Sequence, residues 1–167
     1  ALNVGAMLIA FMALVALMNM MLGFVGSRCD LLLAYLGFDG FNLAESFNLE
    51  VLLGTLFRPI AFCLGISWQE SYVVAQLIGE KMIINEFYAY TKLSALMKEG
   101  VLSERAVALS TYALCGFANI SSIAIQIGGI GALEPSRKKD FAACGLKAML
   151  GGTLSALLSA CIAGILL

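Results

Sequence analysis

Hydrophobic positions run along this chain in long uncharged blocks separated by short clusters of charge. Residues 4–25 carry no charge, and Asn19 is the one strongly polar side chain among them. About 20 apolar residues in a helix cross a hydrocarbon core of ~30 Å, so this block predicts a transmembrane helix. Residues 26–50 change character: Arg28, Asp30, Asp39, Glu45 and Glu50 interleave with Leu31, Leu32, Leu33, Tyr35, Leu36, Phe38 and Phe41. That mixture predicts an interfacial, partly amphipathic segment. Residues 51–68 are apolar again except for Arg58, which precedes Pro59. They predict a span that the proline kinks. An arginine near mid-span costs about 2.5 kcal/mol or more, so Arg58 is expected to snorkel or to face other protein.

Residues 70–99 break the pattern. Glu80, Lys81, Asn85, Glu86 and Lys92 divide two short apolar stretches. One straight span would bury two acids and a base in lipid. Two half-length helices of ~13–15 residues rise only about 20 Å at 1.5 Å per residue, too short to cross. The stretch therefore predicts a re-entrant hairpin with its tip at Ile83 to Asn85. Irregular backbone at that depth needs protein or a water-filled cavity around it.

Residues 107–130 are uncharged but carry Gly116, Asn119, Ser121, Ser122, Gln126, Gly128 and Gly129. On a continuous helix Asn119, Ser122 and Gln126 would share one face, and Gly116 allows the helix to break. Residues 134–140 predict a short hydrophilic connection with Arg137, Lys138 and Lys139 together. Residues 141–167, rich in Gly, Ala and Ser, predict a last span suited to close packing. Positive residues in short loops stay cytoplasmic. The last span then runs outward, the C-terminus is extracytoplasmic, and the hairpin enters from outside.

Composition fits this reading. The chain is 61% hydrophobic, with 10 Lys+Arg and 11 Asp+Glu in 167 residues, and its mean hydropathy is +0.95. Soluble domains sit near 45–50% apolar, so the expected class is an all-α integral membrane protein. The strand alternation of a membrane barrel is absent. A net charge of -1 says little about partners, and no basic stretch is long enough to suggest nucleic acid. The chain lacks an initiator Met and a charged n-region, so its first apolar run reads as a span rather than a signal peptide. It is expected to be part of a longer protein. Its five cysteines have no CxxC spacing and there is no His, so no metal site is expected, and the thiols read as small packing residues.

Ionisable groups at membrane depth mark function by default. A hairpin beside a broken helix is a recurring construction of secondary transporters, with half-helix ends pointing at a substrate near the midplane. Asn85 suits the N-cap of the second half-helix. Glu86 then becomes its first residue, favoured as a carboxylate by the positive helix end. Glu86 with Asn119 and Ser122 makes an acceptor-rich site, fit for neutral ligands with several hydroxyls. Lys81 is expected to reach carbonyls at the hairpin tip, and Tyr88 and Tyr90 to pack.

"GEKMIINEFYAYTKL" (79–93) and "TYALCGFANISSIAIQIGG" (111–129), with "LLGTLFRPIAFCLGISW" (52–68), resemble the C-terminal half of the concentrative nucleoside transporters. The resemblance covers essentially the whole chain. It implies one half of an inverted-repeat transporter that takes up nucleosides with sodium or protons, as a homotrimer, by an elevator-like movement. It implies that Glu86, Asn119 and Ser122 contact ribose and that Phe117 lines the site. Residues 51–68 would belong to the scaffold. The coupling ion, Na+ or H+, and base recognition are implied to lie mainly in the N-terminal half, so that half becomes a required partner. The implied location is the plasma membrane, or the inner membrane of a bacterium. The alternatives are a transporter for another polyhydroxylated neutral solute, a membrane-embedded enzyme and a structural subunit. An enzyme needs a nucleophile–base pair or metal ligands, and neither pattern is present.

Overall fold

A computed structural model describes residues 2–36 and 47–167, and all regular structure there is helical. The first helix, α1, covers Leu2–Tyr35. It runs ten residues past the predicted span, through Gly26, Arg28 and Asp30, so the start of the predicted interfacial segment continues the same helix. Charge at the end of a span does not stop a helix whose backbone bonds are satisfied internally. Arg28 instead lies over the Phe24 ring, 5.0 Å from its centroid. Residues 37–46 of the predicted interfacial segment lie outside the described residues.

Helix α2 covers Leu49–Cys63. Asn48 caps it by accepting from Val51 N, and Asn19 of α1 accepts from Leu49 N at 2.9 Å. Helix α3 covers Trp68–Ile83, so Trp68 opens the next helix rather than closing the predicted span. Arg58 shows why the two helices lie side by side. Its guanidinium stacks 4.2 Å from the Trp68 ring centroid and donates to Trp68 O at 3.0 Å. It faces protein at the start of α3.

Helix α4 covers Glu86–Glu99 and ends at Gly100, whose φ of 66° is the left-handed C-cap conformation. Helices α3 and α4, of 16 and 14 residues, form a helical hairpin. Their rises of about 24 and 21 Å at 1.5 Å per residue are each short of a bilayer core. Helix α5 covers Glu104–Leu114 and α6 covers Ile120–Leu133. The segment between them is not helical, and Gly116 within it has a φ of 123°. A left-handed φ of this kind ends the α-helix and suits glycine. The helix breaks beside Gly116, and Asn119 precedes α6 as its cap.

A 3-10 turn at Pro135–Arg137 leads directly into α7, Lys138–Leu166. The expected loop at 134–140 is thus mostly helix, because the proline sits at the turn's first position, where its missing N–H costs nothing. Among the described residues, two helical stretches are long and apolar enough to cross a membrane, Ala13–Tyr35 and Pro135–Leu166.

The core lies between the hairpin, α5 and α7. Val74, Ala75, Leu77 and Ile78 of α3 meet Leu109 and Ala113 of α5, with Ala160 of α7 behind them. Helices α2 and α3 approach closely at a glycine: a β-carbon on Gly79 would stand 2.6 Å from Leu53 Cβ.

Candidate functional site

Two helix N-termini converge at the breaks. At the hairpin tip α3 stops at Ile84, whose N–H still donates to Glu80 O at 2.7 Å. Asn85 then adopts extended backbone, and its Oδ1 accepts from Tyr88 N at 2.8 Å. That bond makes Asn85 the N-cap of α4 and Glu86 its first residue.

Across from it Asn119 caps α6. Its Oδ1 accepts from Ser122 N at 2.7 Å, and Asn119 N donates to Ser122 Oγ at 3.3 Å, a reciprocal capping box. Ser122 Oγ in turn donates to Asn119 O at 2.7 Å. With its cap satisfied by Oδ1, Asn119 has Nδ2 to spare. That group donates to Glu86 Oε2 at 2.9 Å. Asn119 is fully buried, whereas Glu86 is half-buried. One carboxylate thus faces the positive ends of two helices and one amide donor. It retains acceptor capacity for further hydroxyl donors.

Ser121 is a contact that sequence pattern alone did not single out for a role. Its Oγ lies 2.6 Å from Asn119 Oδ1 and 3.2 Å from Ile84 O, so it ties the hairpin tip to the start of α6. Lys81 is also placed differently from expectation. Its ammonium, fully buried, donates to Ala113 O in the last turn of α5 at 3.2 Å, not to the tip of its own hairpin. Ala113 O is one of the carbonyls that the break leaves without a helical partner. Tyr90 does the same for Thr111 O at 2.7 Å, so its hydroxyl is spent within the protein.

Glu80 pairs with Lys92 across the two arms of the hairpin, and its side chain is fully buried. This pair resolves two of the charges that made the stretch look unfit for a membrane. Glu70, at the base of the hairpin, accepts from Ser103 N at 2.6 Å and from Ser67 Oγ at 2.7 Å. These bonds, the Ser103 N–H first, hold its carboxyl below the ordinary 4.5.

Phe117 is 53% exposed. It lines an open cavity of about 210 Å³ together with Gly116, Ser122, Gln126, Met149 and Gly152. The predicted residues therefore come together in two overlapping groups. Glu86, Asn119 and Ser122 are joined by hydrogen bonds, and Phe117 joins Ser122 along the cavity wall.

The profile described as "Na+ dependent nucleoside transporter C-terminus" matches residues 1–164. The chain belongs to this family. It is 46% identical over 164 residues to the transporter YutK of Bacillus subtilis, covering 98% of this chain and 37% of that protein. It is 44% identical to the nucleoside permease NupC of Helicobacter pylori, covering 99% and 37%. Human solute carrier family 28 member 3 is 40% identical, with 98% of this chain and 24% of the relative covered. Among solved structures, CNTnw in an inward-facing substrate-bound state matches with a TM-score of 0.76 and 40% identity, over 98% of this chain and 37% of that one. The chain spans less than two fifths of the relatives it matches. The relatives are transporters, not enzymes, and the all-α integral membrane class is that of the family.

Proposed function

We propose that this chain supplies the ribose-binding half of a cation-coupled nucleoside transporter. The observation that carries the reading is the Glu86–Asn119 bond at the meeting of two helix N-termini. A half-buried carboxylate, already oriented by one amide, offers acceptors to vicinal hydroxyls of a neutral sugar. Asn119 fixes the carboxylate and Ser122 fixes Asn119, while Phe117 offers an exposed ring at the edge of the neighbouring cavity. Asn85 and Lys81 hold the helix ends that place them.

In this reading the α3–α4 hairpin is re-entrant, and α5 and α6 are one span broken at Gly116. The α2 helix belongs to a scaffold around which three copies assemble and the transport domain moves like an elevator. The rest of the substrate site, with base recognition and the main site for coupling Na+ or H+, comes from the remainder of the transporter. The protein resides in the plasma membrane, or the inner membrane of a bacterium, with the end of α7 outside.

The test is competition for radiolabelled uridine in the complete transporter. Adenosine and other ribosides should displace it, and uracil without a sugar should not. Displacement by a free sugar or an amino acid, with none by adenosine, would show a transporter for a different solute.

A further inference from the structure

Helix α7 carries two lysines that the fold does not use. Near its start Arg137 pairs with Asp140 at 3.0 Å. The stem of Lys138 packs on α6, where a β-carbon on Gly131 would stand 2.8 Å from Lys138 Cγ. Lys139 and Lys147 make neither a hydrogen bond nor an ion pair among the described residues. They stand about 12 Å apart along the helix at 1.5 Å per residue. With 3.6 residues per turn, Lys139, Ala143, Leu146, Lys147, Leu150 and Leu154 share one stripe about 100° wide. All six are exposed. The stripe is cationic towards the start of α7 and apolar beyond.

Helix stability does not account for these charges, since a lysine at the amino end opposes the helix dipole. Lys147 also lies well inside Pro135–Leu166, a stretch long and apolar enough to cross a membrane. An ammonium at that depth is costly in hydrocarbon unless it finds an anion or reaches the surface. Side chains on a helix tilt toward its amino end. The stem of Lys147 can thus lean back over the small Ala143 and snorkel toward the level of Lys139. Position selects the partner. A soluble polyanion cannot follow Lys147 into the apolar layer, and free phosphate would leave the leucines uncovered. A phospholipid with an anionic headgroup meets both halves of the stripe, and basic residues at the end of a span attract such headgroups.

We propose that Lys139 and Lys147 hold the headgroup phosphate of one anionic phospholipid, whose acyl chains lie along Leu146, Leu150 and Leu154. The lipid supplies the counter-charge that lets Lys147 stay at membrane depth. In the orientation proposed above it belongs to the cytoplasmic leaflet. The surface is separate from Glu86 and does not rest on the ribose reading.

The test uses the complete transporter, purified and delipidated in neutral detergent without nucleoside. Its unfolding temperature is followed as phosphatidylglycerol is added to the micelles. Phosphatidylcholine with the same acyl chains and inorganic phosphate are parallel series. Saturable binding to the folded state raises that temperature. Phosphatidylglycerol should do so, and the other two should not. Both lysines are exposed, so glutamine in their place retains the fold. Lys147→Gln should raise the half-saturating lipid fraction about fivefold, and Lys139→Gln combined with it about 25-fold. Lys98→Gln, at the exposed end of α4, should leave it unchanged. Superimposable phosphatidylglycerol titrations for the wild type and the double variant would overturn the proposal. So would equal stabilisation by phosphatidylcholine or by inorganic phosphate. A lower unfolding temperature of Lys147→Gln without lipid, with an unshifted titration, would overturn it in favour of an acid elsewhere in the transporter. Uridine binding in the same samples reports on the ribose reading independently.

Discussion

Asn119 Nδ2 donates to Glu86 Oε2 at 2.9 Å, joining two residues 33 apart in sequence that each stand at the start of a half-helix. The bond makes the carboxylate and the second break a single unit. Removing the amide should therefore affect both substrate and structure. Asn119→Ala loses a helix cap worth about 1 kcal/mol and the orientation of Glu86. Its apparent Michaelis constant for uridine should rise about 10- to 100-fold in transport assays of the complete protein, in line with 1–3 kcal/mol for an unpaired buried group. Ser122→Ala should do less, since Asn119 Oδ1 still accepts from Ser122 N. Equal effects of the two variants would show that the hydroxyl itself binds substrate more strongly than its local bonds suggest.

Lys81 serves a different purpose from Glu86. Its ammonium meets Ala113 O at the end of α5 and so satisfies a carbonyl released by the break. Lys81→Met keeps the aliphatic stem and removes the donor. The variant should lose about 1–3 kcal/mol of stability, read as a lower unfolding temperature in detergent. An unfolding temperature equal to the wild type would show that water replaces the lysine there.

The contact between α2 and α3 leaves no room for a side chain at Gly79. Gly79→Ala would bring a β-carbon to 2.6 Å from Leu53 Cβ. Overpacking of this kind costs about 1–3 kcal/mol. Leu53→Ala removes only the atoms beyond Cβ and should rescue little, whereas Leu53→Gly in the same background should recover more. Chemical denaturation of the three variants measures this order.

Glu70 links the base of the hairpin to the turn before α5 through Ser103 and Ser67. Its carboxyl is held below the ordinary 4.5. A depressed folded-state value means the contribution is complete above the unfolded value and fades as pH falls through the folded one. Stability should thus drop as pH is lowered below about 4.5, and Glu70→Gln should flatten that part of the curve. A profile unchanged by Glu70→Gln would place the acid sensitivity elsewhere.

Much of this site was legible because caps are written in residue type. Asn85 is a strong N-cap residue that directly precedes a helix, whereas the cap role of Asn119 emerged only from the structure. Charge in an apolar run marked the hairpin, and glycine marked the second break. Partners across the fold were not legible. Nothing local told Lys81 to choose Ala113 O over its own hairpin tip, or Glu80 to pair with Lys92 on the opposite arm. Both depend on how the helices dock. Ser121 was hidden for the same reason, because its link to Ile84 O spans 37 residues. The change of character at residue 26 was legible, but not that one helix runs through it to Tyr35. A helix leaving the apolar layer carries charge without ending.

The account stands on Glu86 accepting bonds from ribose hydroxyls, and a mutant cycle with deoxynucleosides tests that most directly. Affinities of uridine, 2′-deoxyuridine and 3′-deoxyuridine are measured on the complete transporter, wild type and Glu86→Gln. In the wild type, loss of the hydroxyl that meets Glu86 should weaken binding about tenfold or more, as expected for a hydrogen bond to a charged group. In Glu86→Gln uridine itself should bind weakly, and the penalty for that missing hydroxyl should largely vanish. The same penalty in both proteins, for both deoxynucleosides, would contradict a contact between Glu86 and the sugar.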